Sequence, residues 1–525
     1  MSSTSLATGP STQAEPTVPG RQILSAAAAN EVVFAVVGHV GSGTSVVARM
    51  LEKLLSQAEY QVEVIKAREV IEKWAATKGL EPKVKQPTID STTMLQDLGD
   101  RMRAELGDNA AVARGVVSRV RVARAKATGK VATPGAAVEP DGKKRAFVVD
   151  ALRHPEEALF LRSLYDSAFT LIGVVCDEAE RLRRLQKKFD DGGETKTLTF
   201  MQRDAKDALK NGQRVSDTFH LSDFFVNNTE RQALDDKPNE DWPVPDELTR
   251  LVRLVVHKDI VRPSVEEVAM FAAHGAQMRS ACLSRQVGAS LVDSAGNLVA
   301  TGTNEVPRAG GGAYSNEHTI DERCAFRSKS EMRFCSNTRE QSEIVEDIIK
   351  SLAKVISIPA EKRGEVERVI RESRIGGLLE FSRAIHAEMD ALLSAARTGK
   401  ALIGARLFVT TYPCHYCARH LVAAGVDEVL FIEPYPKSRA LSLHADSITH
   451  SRANWTPPSS GGNRVLFRAF SGVAPRMYAR AFLKERDLKD ASGKMAFGSS
   501  ESSNRWNLGK KSYTELEASV EIQHA

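Results

Sequence analysis

No apolar run in this chain reaches the eighteen or so residues that a helix needs to cross a bilayer, so no membrane-spanning helix is expected. The first residues, MSSTSLATGPSTQAEP, have neither the basic segment nor the apolar core of a secretory signal, and residues 1–21 read as a disordered polar tail. Cysteine is scarce. The six present, Cys176, Cys282, Cys324, Cys335, Cys414 and Cys417, are too scattered for a disulfide framework, and a reducing cytoplasm is the expected compartment. Charge is nearly balanced, with 72 Lys and Arg against 67 Asp and Glu. That argues against a protein that coats nucleic acid, while leaving room for a local basic groove. No internal repeat recurs at a fixed period. What is there is a 525-residue chain with 42% hydrophobic residues, ample for packed cores and long enough for two or three domains.

One stretch organises the rest. His386-Ala-Glu388 is followed downstream by Pro413-Cys414-His-Tyr-Cys417. A catalytic zinc takes three ligands from imidazole and thiolate and keeps its fourth position open. His386, Cys414 and Cys417 supply such a set. Glu388 sits two residues beyond the His, suited to carry protons beside the metal rather than to bind it. No oxygen-rich ligand set suggests calcium or magnesium at this place. Periodicity adds the setting: Phe381 to Thr398 has helical spacing, Leu407 to Thr410 reads as a buried strand, and Arg419 to Ala424 continues as a helix. Two helix N-termini are therefore predicted to present the ligands, with a strand between them.

These motifs resemble the cytidine and deoxycytidylate deaminase superfamily, above all its deoxycytidylate branch. The resemblance covers residues 265 to 440 and includes SRQVGASLVDSAGNLVATGTNEVP, similar to that branch's first two strands. It implies a cytidine-deaminase-like α/β/α domain, zinc on the three ligands, and Glu388 as the proton carrier in replacing the cytosine amine by water. It also implies that Asn304 contacts the nucleotide; a turn Asn before Pro307 is the alternative. Arg285, Arg323 and Arg327 are candidate phosphate contacts, each with a structural alternative. The long stretch from Pro307 to Arg374 reads as a lid over the site. Within it, Cys324, Cys335 and His318 are candidates for a second, structural zinc, at a spacing that is not diagnostic.

The N-terminal part carries a second motif. A buried strand, Val32 to Val37, enters Gly38-His-Val-Gly41-Ser42-Gly43-Thr44-Ser45 and then an amphipathic helix, the order of a phosphate-binding P-loop. Backbone N–H groups and a helix N-terminus at such a turn favour a polyphosphate. Thr44 stands where the pattern has Lys, which weakens phosphoryl transfer more than nucleotide binding. Asp150 ends a second strand, KRAFVVD, and is either a partner of phosphate-bound Mg2+ or a helix-entry residue. KRAFVVD and the ALRHPEEALFLRSL after it resemble the corresponding stretch of small nucleotide kinases and dephospho-coenzyme A kinases, and residues 30 to 230 look like a P-loop α/β domain of kinase type. Arg181, Arg183 and Arg184 are then phosphate clamps, or else one solvated helix face.

The expected organisation is α/β throughout: a P-loop nucleotide-kinase-like domain over residues 22–240, a deaminase-like domain over 250–485, and a weakly ordered end from 486. Residues 114–145 read as a mobile basic insertion, and 231–246 as a linker. The tandem resembles the bacterial antiviral dCTP deaminases. That implies conversion of free dCTP, and of dCMP, to deoxyuridine nucleotides in defence against phage, control by an inhibitory small RNA in some members, and homo-oligomers. A housekeeping dCMP deaminase and a nucleic-acid cytidine deaminase are the alternatives.

Overall fold

Side chains alternate between two faces along the strands, and this alternation builds two sheets, each sandwiched between helices. The computed structural model describes residues 29–80, 87–207, 209–234, 237–257, 259–378, 380–435, 437–484, 488–495 and 513–521. The expected tail over 1–21 lies outside them. In the first sheet β1 (Glu31–Val37), β2 (Gln61–Lys66), β3 (Arg145–Asp150), β4 (Phe169–Val175) and β5 (Phe224–Asn227) run parallel in the order β5-β4-β1-β3-β2. Val33, Ala35 and Val37 of β1 face one core; Val32, Phe34 and Val36 face the other. A short hairpin, β6 (Ala233–Leu234) and β7 (Lys237–Pro238), follows.

The second sheet is mixed. β8 (Gly288–Val292) and β9 (Leu298–Thr303) are antiparallel, β10 (Arg406–Thr411) is antiparallel to β8, and β11 (Glu428–Glu433), β12 (Ile448–Thr449) and β13 (Val465–Ala469) continue in parallel as β12-β13-β11-β10-β8-β9. Leu407 and Val409 of β10 pack under the helices Ala387–Arg397 and His415–Ala423, whereas Phe408 faces the helix Val265–Gln277. Two glycines allow the helices to come this close. A Cβ on Gly288 would lie 2.0 Å from the Ala273 carbonyl oxygen, and one on Gly302 would lie 2.1 Å from that of Ala387. Asp390 adds a tie, its carboxylate accepting the Thr303 N–H at 3.0 Å.

The halves interlock where the sequence suggested a linker. The helix Val244–Val256 packs Leu248, Leu251 and Val255 into the first sheet's core, so this part of the 250–485 segment is a layer of the N-terminal half. After β13 the chain returns: β14 (Gly472–Val473) adds antiparallel to β5, and the helix Pro475–Phe482 buries Met477 and Ala481 in the same core. Phe225 of the first sheet and Phe408, Leu430 and Phe470 of the second then share one cluster.

Two further expectations are corrected. Residues 114–128 of the supposed basic insertion belong to a buried helix, Ala111–Thr128, because Val112, Val116, Val117 and Val120 form an apolar stripe among the basic residues. Its Arg121 and Arg124 are fully buried. In the C-terminal segment, 513–521 is ordered by packing onto that helix: Glu517 accepts from Arg124 at 2.5 and 3.0 Å and from the Tyr165 hydroxyl at 2.8 Å, and the Tyr513 hydroxyl donates to Glu31 at 2.9 Å.

Glu517→Ala removes one of the two carboxylates, Glu517 and Glu31, that pair with the buried Arg124 guanidinium, and is expected to cost about 3–5 kcal/mol in chemical denaturation. Gly302→Ala forces a methyl group against helix backbone and is expected to cost about 1–3 kcal/mol in the same measurement.

Candidate active site

Helix entry positions the metal-ligand candidates. His386 and Cys414 are the extended residues immediately before the helices Ala387–Arg397 and His415–Ala423, with β10 between those helices, and Cys417 lies in the first turn of the second. The predicted arrangement of two helix N-termini around a strand is the one found. The Cys414 and Cys417 Sγ atoms lie 3.3 and 3.4 Å from His386 Nδ1, and all three ligand atoms fall within 4.8 Å of one another. Zinc bonds of about 2.0–2.3 Å in tetrahedral geometry place such ligand atoms roughly 3.5–3.8 Å apart, so the two sulfur–nitrogen separations match zinc within a few tenths of an ångström. Hydrogen bonding with Cys417 holds the Cys414 thiol down to about 4, and the Cys414 sulfur raises the His386 imidazole to about 9. Even without an ion, the group favours a thiolate at Cys414.

Glu388 is 4% exposed and shares this site, where burial pushes its carboxyl up to about 7. It lines a cavity of about 320 Å³ together with His386, Cys414, Asn304, Arg285 and Tyr435. That size is within the range of small-molecule sites.

Asn304 lies in the cavity wall, but its amide is engaged with protein backbone. Oδ1 accepts the Val287 N–H and Nδ2 donates to the Arg285 carbonyl, both at 2.6 Å, so it shapes the 285–287 loop. Arg285 reaches the cavity over the Tyr435 ring, 5.6 Å from its centroid, and pairs with Glu433 at 3.1 Å. Arg323 and Arg327 do not line the cavity: Arg323 is held by Asp321 and Asn316, and Arg327 by Glu322. Sequence reading missed two other cations in the wall, Arg383 and Lys437. Arg383 was within reach, three residues before His386; Lys437 carries no pattern that marks it.

The lid candidate contributes Cys324, Cys335, Ser336 and Asn337 to the wall, the last three at the start of the helix Ser336–Leu352. The second zinc finds no support there. His318 Nδ1 turns to Ser315, Cys335 to Ser284 and Cys324 to Arg383. Among the described residues, His386, Cys414 and Cys417 are the only such group of three or more His, Cys, Asp or Glu.

At the other motif, β1 runs into Gly38–Gly43 and the helix Thr44–Gln57. Gly41 and Gly43 have φ of 85° and 89°, backbone that favours glycine, and a Cβ on Gly43 would lie 2.3 Å from Asn228 Nδ2. At the helix start, the N–H groups of Thr44 and Ser45 have no partner within the helix. The Ser45 hydroxyl donates to Asp150 at 2.6 Å, bringing two of the candidate residues together. Thr44 is buried, so no long cation extends from the position of the missing Lys. Arg183 pairs with Glu180, while Arg184 donates to the Asn228 carbonyl at 2.8 Å and the Ser42 carbonyl at 3.4 Å. Arg181 is mostly buried, with its backbone and Cβ against Gly41. Sequence reading missed Arg153, which donates to the Gly38 carbonyl at 3.1 Å and to Asp204 at 2.9 Å.

Comparison with known proteins agrees with the geometry of the C-terminal half. Residues 263–433 match the cytidine and deoxycytidylate deaminase zinc-binding region. The deoxycytidylate deaminase of Enterobacteria phage T4 is 26% identical over 170 residues, covering 32% of this chain and 77% of the phage protein. A UPF0200 protein of Aeropyrum pernix is 30% identical over 203 residues, covering 39% of this chain and 87% of that protein. Among solved structures, the dCMP deaminase of cyanophage S-TIM5 in complex with dCMP and dUMP is 19% identical with a TM-score of 0.22, covering 40% of this chain and 99% of the other. No helix among the described residues is long and apolar enough to cross a membrane. The chain therefore carries a cytidine and deoxycytidylate deaminase domain across residues 263–433 and, through its 203 residues aligned with the Aeropyrum pernix protein, belongs to the UPF0200 family.

Proposed function

We propose that this protein deaminates free deoxycytidine nucleotides, dCTP and dCMP, to the corresponding deoxyuridine nucleotides. The observation that carries the reading is the convergence of His386, Cys414 and Cys417 beside buried Glu388, with His386, Cys414 and Glu388 lining one cavity. Zinc held by the trio would supply Lewis acidity that brings the ionisation of water toward neutral pH. Glu388 takes one proton of the attacking water and delivers it to N3 of cytosine as C4 is attacked; it then takes the second proton from the new C4 hydroxyl and delivers it to the amino group, which leaves as ammonia while the C4 carbonyl forms. Its raised affinity for a proton suits a group that must both accept and donate. Arg285, Arg383 and Lys437 give the cavity a cationic wall suited to a phosphorylated nucleotide.

The Gly38–Ser45 loop is proposed as a nucleotide-binding site, with Ser45 and Asp150 placed to share a magnesium ion. Buried Thr44 in place of Lys removes a central requirement of phosphoryl transfer. The tandem architecture supports an antiviral role through dCTP depletion, acting in the cytoplasm as a homo-oligomer and restrained by a small RNA. The same chemistry also serves a housekeeping dCMP deaminase.

Product chromatography of the zinc-loaded protein with separate samples of dCTP, dCMP, CTP and single-stranded DNA tests the substrate class. Turnover of dCTP and dCMP is expected, and turnover of the DNA alone would replace this reading with nucleic-acid editing. Glu388→Ala is expected to keep its zinc by elemental analysis while losing about 10²–10⁴-fold in turnover; loss of the metal would remove Glu388 from the proton-carrier role. No phosphate transfer from ATP to nucleoside monophosphates is expected in a coupled assay.

A further inference from the structure

One short element lies between the glycine loop and the core shared with the deaminase half. The helix Val215–Phe219 is keyed to the Gly38–Ser45 loop at two points. The Ser216 hydroxyl lies 2.9 Å from His39 Nε2, whose ring sits 5.7 Å from that of Phe219. The N–H of Arg214, just before the helix, donates to the Arg153 carbonyl at 2.9 Å, and Arg153 itself grips the Gly38 carbonyl and Asp204. Asp204 in turn accepts the Val40 N–H at 2.7 Å, so the loop is held from both sides.

The other face of this element meets the deaminase half. The Phe219 ring packs at a tilt against that of Phe225, centroids 5.1 Å apart, and Phe225 meets Phe470 edge to face at 6.3 Å, within the core shared with Phe408 and Leu430. His220 follows directly. The charged groups acting on it are Glu433, Asp217 and Arg285, and its Nδ1 is buried without a hydrogen-bond partner among the described residues. Glu433 pairs with Arg285 in the cavity wall and accepts the Thr411 hydroxyl at 3.1 Å, at the end of β10 that leads to Cys414.

We propose that a nucleoside triphosphate seated on the Gly38–Ser45 loop controls the deaminase cavity through the segment Arg214–His220. The proposal rests on the deaminase reading and extends it to regulation. Its physical basis is competition for Arg153 and Arg184, which now hold the loop's own carbonyls and Asp204. A polyphosphate on the open N–H groups draws these cations to itself, loosening the grip on Gly38 and on the segment whose Arg214 N–H is bonded to the Arg153 carbonyl. The packed aromatic contacts pass that change to His220 and the Arg285–Glu433 pair. Because Arg285 lines the substrate cavity, the change appears in how substrate is held.

The test uses the full chain with dCMP as substrate and with ATP and GTP, each with Mg2+, as loop ligands that carry no cytosine. At least one of the two is expected to change kcat/KM for dCMP by about five-fold or more. By linkage, in a catalytically silent Glu388→Ala protein the factor by which dCMP changes that nucleotide's affinity is expected to equal the factor by which the nucleotide changes the affinity for dCMP. Ser216→Ala is expected to retain basal deamination and nucleotide binding while bringing the coupling factor close to one. Gly43→Ala, which collides with Asn228, is expected to lose both binding and effect. Absence of binding by either nucleotide, binding without effect, or full coupling in Ser216→Ala would each overturn the proposal. A chain that binds ATP or GTP yet deaminates neither dCMP nor dCTP would instead overturn the activity reading on which it rests.

Discussion

The molecule depends on holding two helix N-termini against one strand closely enough for an imidazole and two thiols to share a point. Each ligand residue leads or begins a helix, where backbone N–H groups stabilise negative charge on sulfur. The approach is fixed by backbone rather than by long side chains: Gly302 has no Cβ to obstruct the helix Ala387–Arg397, and Asp390 ties that helix to the end of β9. Burying Glu388 in the same place costs solvation of its carboxylate, and that cost leaves it ready to hold a proton. The geometry of the trio, the protonation of Glu388 and the cavity above them are consequences of one packing arrangement.

What was legible in the sequence was local chemistry and local periodicity. The HAE and PCHYC motifs announced their ligand geometry because a helix start fixes the direction of its first side chains. The β1 strand and the glycine loop were legible for the same reason. What escaped reading depends on distant partners. The helix Ala111–Thr128 looked like a solvated basic segment because its arginines outnumber its acids locally; Glu517 and Glu31, which neutralise Arg124, lie far away along the chain. The return of β14 to β5 rests on two residues, too few for any periodic signal. Asn304 was read as a nucleotide contact; it lies in the cavity wall, and only the fold reveals that the Arg285 and Val287 backbone occupies its amide.

The same long-range ties decide how the halves relate. Glu267 of the deaminase half accepts from Arg250 at 2.5 and 2.7 Å and from the Val473 N–H at 2.8 Å, pinning the returning strand beside the first sheet. With Phe225, Phe408 and Phe470 in one cluster, the sheets share a core instead of meeting across a flexible linker. A close-packed core transmits small shifts, which is the physical setting in which a ligand site in one half can bear on a cavity in the other.

The central claim is that His386, Cys414 and Cys417 form a zinc site with one position left for water. X-ray absorption at the zinc edge of the purified protein tests it most directly. The expected result is one zinc per chain with two sulfur scatterers at about 2.3 Å and two nitrogen or oxygen scatterers at about 2.0–2.1 Å. A four-sulfur shell, an all-oxygen shell, or protein without zinc would contradict the account.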